Sequence, residues 1–225
     1  MIPQRWLHPL YRLLSTGFLL LGLNQFASAT PIQSAMQWYQ IEMIIFSQIP
    51  FGELQNETWP IVPAFVAPQK IFNLVPSQVY QTQTLSNYPL VLPQDFILNT
   101  QASHLMNNPH YKIIAHLAWL QPVSSESTSK IPPTYIQASR NPCTMDALLQ
   151  LKQDKFIQLT LQSVLSINDD AFTNTLKQLK LLDSDGVIRF DVNQSIRMKT
   201  NELNYIDSPF VGILIEIIPH FAPNP

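Results

Sequence analysis

Glycine is scarce in this 225-residue chain: there are 5, and only Gly52, Gly186 and Gly212 lie beyond the N-terminal stretch. A glycine-rich loop that lets backbone N–H groups close on a phosphate is therefore missing, and with it the glycine-fingerprint nucleotide folds. Cysteine is reduced to Cys143. No intrachain disulfide can form, so packing has to stabilise the domain. Charge is scarce too, at 12% of residues with a formal net charge of −2, which excludes a polybasic nucleic-acid binder. Amide and proline take their place, with 21 Gln, 14 Asn and 19 Pro. Uncharged amides then do much of the solvating, and stiff, extended connections join the elements. The 46% of hydrophobic residues suffice for a sizeable core in one domain.

Long hydrophobic runs are also missing, except near the start. Arg5 and Arg12 lead into the mostly apolar Leu13 to Leu23, and Ala27-Ser28-Ala29 offers a small-residue cleavage site. A membrane span needs roughly 20 apolar residues, and Asn24 and Gln25 end this run early. The pattern predicts a secretory signal peptide over 1–29 and an exported single domain over 30–225, with no stable membrane insertion after cleavage. Cys143 lies far from Ala29, so it is not the lipidated cysteine of a lipoprotein.

Alternation begins at Trp38 to Phe46, where Tyr39, Ile41, Met43 and Ile45 share one face and Gln40 and Glu42 the other. This predicts a first strand running into the core. Prolines punctuate 47–93 among aliphatic and aromatic residues, which predicts an extended, partly packed connection. Leu98, Ala102 and Leu105 carry a helical spacing within Asp95 to Asn108. Tyr111, Ile113, Ala115, Leu117 and Trp119 return to a period of two on one strand face, and the Ser/Thr/Pro-rich 124–141 is expected as an exposed loop. Ile157, Leu159, Leu161, Leu165 and Ile167 predict another strand, Phe172, Leu176 and Leu179 a helix capped by Asn168-Asp169-Asp170, and Ile188 to Met198 a further strand. Thr200-Asn201 suggests a hairpin turn into Glu202 to Ile206, and Phe210 to Ile218 a last strand buried on both faces. Strand, helix, strand, twice over, predicts an α+β fold in a split βαβ (ferredoxin-like) arrangement plus a closing strand, with an antiparallel β sandwich as the alternative.

Catalytic strings are offered but do not hold. Ser127 to Lys130, Ser184 to Gly186 and Lys199 to Asn201 follow the order of serine penicillin-recognising enzymes. Pro132-Pro133, however, stops the helix that would have to place the Lys over the Ser, and the other two strings each lack a defining residue. His104, His110 and His116 are spaced by six, which is not a ligand spacing on either helix or strand. No motif surrounds Cys143. No metal, no cofactor and no catalytic residue is predicted.

Four strings in order carry a family resemblance: Trp38 to Phe46 (WYQIEMIIF), Glu57-Thr58-Trp59-Pro60, His116 to Pro122 (HLAWLQP), and Glu202 to Leu214 (ELNYIDSPFVGIL). They resemble the CsiV family of periplasmic cell-shape proteins along nearly the whole exported chain. The resemblance implies a protein that binds peptidoglycan and promotes cell-wall synthesis. It also implies a partner, an outer-membrane lipoprotein that activates a bifunctional penicillin-binding protein. The chain departs from the family pattern at Asn204 and Ser208, where the family usually has His, at Ile196, where it has Arg, and over Gln162 to Leu165.

Together these readings predict a non-catalytic, periplasmic peptidoglycan-binding module. The alternatives are a peptidoglycan-processing enzyme, or a structural partner in an envelope complex without glycan affinity. Trp119 is assigned to the core, and His116, on the opposite strand face, to polar contact. With Gln121 at the strand end and Glu202, Tyr205 and Asp207, His116 is expected to form one polar binding surface.

Overall fold

The structure, a computed structural model, describes residues 36–48, 62–69, 71–74, 88–125, 131–168 and 187–222. The expected leader, the Glu57 to Pro60 string and the helix expected after Asn168 lie outside these residues. The described residues form nine strands and one α-helix: β1 (Gln37–Ser47), β2 (Phe72–Leu74), α1 (Asn99–Met106), β3 (Lys112–Ser125), β4 (Thr134–Arg140), β5 (Cys143–Gln153), β6 (Ile157–Ile167), β7 (Ile188–Met198), β8 (Asn204–Asp207) and β9 (Val211–His220).

Two antiparallel four-stranded sheets result. One has the order β3-β1-β9-β8, the other β4-β5-β6-β7 with the short β2 parallel to β4. The tip of β3 pairs with the end of β5 at Ser124↔Lys152 and Ser125↔Gln153, joining the sheets along one seam. Alternation aims Ile41, Met43, Ile45, Ile213, Ile215 and Ile217 of the first sheet at Met145, Leu149, Leu159, Leu161 and Leu165 of the second, and all belong to one apolar cluster. Phe190 of β7 and Phe210, just before β9, stack at 3.6 Å between ring centroids. Each such large apolar side chain contributes about 1.5–3 kcal/mol by leaving water.

This is the sandwich alternative rather than the split βαβ arrangement. A split βαβ unit has parallel strands with another strand between them, whereas β1 and β3, either side of α1, are direct antiparallel neighbours. The reason lies in where α1 starts. Backbone N–H groups of Ile97 and Leu98 donate to the Glu42 carboxylate in the middle of β1. The helix then leads to Lys112, opposite Ser47 at the far end of β1, so β3 must return antiparallel.

Period-two signals locate β1, β6 and β7, and the apolar block at Phe210 to Ile218 locates β9, but other local readings change. A bulge at Ile45/Phe46 switches faces in β3: Tyr111 and Ile113 pack with Ile44, Phe46, Leu98 and Ala102 under α1, while Ile114, Leu117 and Trp119 face the sandwich interior. Thr134–Arg140, expected as loop, is β4, because Thr134, Ile136 and Ala138 alternate into the interior. β5 carries no element in the sequence reading, yet Cys143, Met145, Ala147, Leu149 and Leu151 are all buried. The turn at Thr200-Asn201 is not a hairpin. It carries the chain from β7 in one sheet to β8 in the other, with Asn201 at φ 60° and its N–H donating to Ile217 O.

Candidate functional site

Even-numbered residues of β1 point away from the sandwich interior, towards α1, so Glu42 lies on that side and is fully buried. Its carboxylate accepts the N–H groups of Ile97 at 2.6 Å and Leu98 at 2.8 Å. His116 Nε2 lies 2.7 Å from its Oε1, and the Phe96 ring covers the imidazole at 4.5 Å. The neighbour across β9 is Glu216, whose carboxyl is held above its usual range by burial and then by the Glu42 charge. His116 thus belongs to the joint that pins α1 to the sheet.

Register places His116, Ile44, Leu214 and Tyr205 in one row across the first sheet, so His116 and Tyr205 share a face with two apolar residues between them. Tyr205 is half exposed and stacks on Phe46 with ring centroids 6.3 Å apart. Its hydroxyl donates to Asp207 Oδ1 at 2.7 Å, and Gln48 Nε2 donates to the same oxygen at 2.7 Å. Partial burial, with the Asp207 hydrogen bond and charge, pushes the phenol up to about 12. The hydrogen bonds from Tyr205 and then Gln48 hold the Asp207 carboxyl below its usual range. This cluster is exposed and polar.

The other two residues of the expected surface lie elsewhere. Gln121 has the parity of Trp119, so it points into the sandwich, where it is 2% exposed. Its Oε1 accepts Trp119 Nε1 at 2.9 Å and Thr134 Oγ1 at 3.0 Å, tying β3 to β4. Glu202 precedes β8 and pairs with Lys199 at 3.1 Å, both exposed. The five residues therefore do not form one surface: His116 and Gln121 are engaged inside the fold, and only Tyr205 and Asp207 form a cluster.

A groove outside the expected site surrounds the β5–β6 turn. Lys152, Gln158 and Arg197 stand opposite one another across β5, β6 and β7, all exposed on the outer face of the second sheet. Lys155 and Phe156 occupy the turn beside them. Phe156 is 42% exposed, with Lys155 Nζ and Arg197 Cζ each 5.9 Å from its ring centroid. Lys152, Lys155, Phe156 and Arg197 line a cavity of about 210 Å³ with Asp154 and Gln158. A second cavity of about 450 Å³ shares Lys155 and Phe156 and continues past Tyr39, Gln153, Met198 and Lys199. Among the described residues, no carboxylate forms an ion pair with Lys152, Lys155 or Arg197. The signal for this groove is a Lys at the end of one strand and another in the short turn after it, with an Arg on the strand that pairs with the next, which shows only once β5 is recognised.

Among the described residues, no group of three or more His, Cys, Asp or Glu is placed to hold a metal ion. No described helix is long and apolar enough to cross a membrane. A protein-family model described as "Peptidoglycan-binding protein, CsiV" matches residues 18–220. No curated protein and no solved structure matches the chain.

Proposed function

The chain belongs to the CsiV family of peptidoglycan-binding proteins, and from this premise we propose that it is a periplasmic, non-catalytic protein that binds peptidoglycan and promotes its synthesis. The family match over residues 18–220 carries the reading. Export through a signal peptide over 1–29 is part of the proposal, since peptidoglycan is reached from that compartment. The proposed partner is an outer-membrane lipoprotein that activates a bifunctional penicillin-binding protein.

The geometry supports the reading by dividing the family strings between two tasks. Glu42, His116, Trp119 and Gln121 join strands, helix and sheets from inside. Tyr205 and Asp207 remain exposed on β8, the edge strand of the first sheet, and are the proposed contacts from that segment.

Incubating the purified mature protein with sacculi tests the proposal. Co-sedimentation without release of soluble muropeptides is expected, and released muropeptides would instead assign an enzyme. Absence from the pellet, together with capture of an envelope protein, would assign a purely structural partner. The mature protein should be recovered from the periplasm lacking its first 29 residues, and Ala29→Phe should block processing.

A further inference from the structure

We infer that the groove around Phe156 recognises the carboxylate-bearing stem peptides of peptidoglycan, through Lys152, Lys155 and Arg197; this rests on the peptidoglycan-binding reading and names the part of the polymer bound. Three cations converge there without a carboxylate partner among the described residues, in a chain whose formal net charge is −2. Three cations against the single Asp154 of the same lining, with no ion pair among them, are set to meet a ligand's negative charge.

The chemistry of the polymer selects the peptide over the sugar. The N-acetylated amino sugars are uncharged, and the lactyl carboxyl is consumed in an amide bond to the peptide. The stem peptide keeps free carboxylates, on its γ-linked glutamyl residue, on its diamino acid and at its C-terminal D-alanine. Lys152 and Arg197 lie in one row across three strands, so they can meet successive carboxylates of an extended peptide. Asp154 in the same lining matches the free ammonium of a diamino acid. The Phe156 ring, with Ile157, Met198 and Pro219 in the adjoining cavity, supplies apolar contact for methyl and methylene groups.

The test uses the full mature protein and three forms of one sacculus preparation: untreated, with peptide carboxylates amidated, and stripped to glycan strands by an amidase with the lactyl carboxylates so released then amidated as well. The wild type should bind untreated sacculi and lose about tenfold or more in affinity on the amidated and stripped forms, the sum of a few exposed ion pairs. The triple variant Lys152→Gln, Lys155→Gln, Arg197→Gln should melt as the wild type does, bind untreated sacculi about tenfold more weakly, and no longer respond to amidation. Phe156→Ser alone should weaken binding without abolishing the response to amidation. Equal wild-type binding to all three forms would overturn the inference and leave the peptidoglycan reading standing. Absence of binding to every form would overturn both. Capture by anionic lipid vesicles in place of sacculi would also overturn the inference, because it would assign the cations to a membrane surface.

Discussion

Trp119 Nε1 donates to Gln121 Oε1 at 2.9 Å, two positions along one strand and on the same inward face. The same oxygen accepts Thr134 Oγ1 from β4. A single amide thus satisfies the polar atom of the largest fully buried side chain and links the two sheets.

Gln121→Ala is therefore expected to act on stability rather than on binding. Two buried donors lose their acceptor, at a cost of about 2–3 kcal/mol, while Trp119→Ala leaves a large cavity and costs about 3–5 kcal/mol. Urea unfolding of both variants reads these values. A wild-type midpoint for Gln121→Ala would show that Trp119 and Thr134 find other partners.

Glu42 is the acceptor for Ile97 N–H and Leu98 N–H and the partner of His116 Nε2. Glu42→Ala strands all of these inside the fold and is expected to cost about 3–5 kcal/mol. His116→Ala removes one partner only and should cost about 1–2 kcal/mol. The double variant should be less destabilised than the sum, because the two residues share one interaction. Hydrogen exchange at Ala102 and Asn107, whose N–H groups donate within the α1 turns, should rise selectively in Glu42→Ala if the pair anchors that helix.

Strands with clean alternation and strong β-formers, such as β1 and β6, were legible from spacing because one face of each is committed to the interior. β5 alternates by the same rule, with Cys143, Met145, Ala147, Leu149 and Leu151 inward and Thr144, Asp146 and Gln150 between them, so it too was readable from spacing although no element was assigned there. The bulge opposite Phe46 is a tertiary event that no local pattern announces, and it moves Tyr111 and Ile113 to the other face. At the site, the parity that placed Trp119 in the core also applies to Gln121, so its burial was readable. The groove at Phe156 depends on Arg197 facing Gln158 across a strand pair, which only the register reveals.

Gly212 stands opposite Phe46 in the β1–β9 pair, and a Cβ on it would overlap the Phe46 ring. Gly212→Ala is expected to cost about 1–3 kcal/mol by forcing that ring out of its packed position. Phe46→Leu should recover part of the loss in the double variant while being destabilising alone. Additive losses in the cycle would show that the strain is taken up elsewhere.

Glu216 and Asp207 sit on one face of the first sheet and respond to pH in opposite senses. Burial, then the Glu42 charge, raises the Glu216 pKa above its ordinary 4.5, so the folded state binds that proton more tightly than the unfolded chain does. Its contribution is fully present below 4.5 and is lost as pH rises through the folded value. Glu216→Gln should therefore raise the urea midpoint at pH 7, and the gain should vanish in acid. Asp207 runs the other way: hydrogen bonds from Tyr205 and Gln48 lower its pKa from 3.8, so its contribution is present above 3.8 and fades as pH falls through the folded value. Asp207→Asn should lower the midpoint slightly at pH 7, because the group is exposed, and match the wild type in stronger acid. Midpoints measured from pH 7 down to strong acid separate the two, since Glu216→Gln loses its advantage by pH 4.5 whereas Asp207→Asn loses its deficit only below 3.8. A Glu216→Gln variant no more stable than wild type at pH 7 would show that water reaches Glu216 and relieves it of the Glu42 charge.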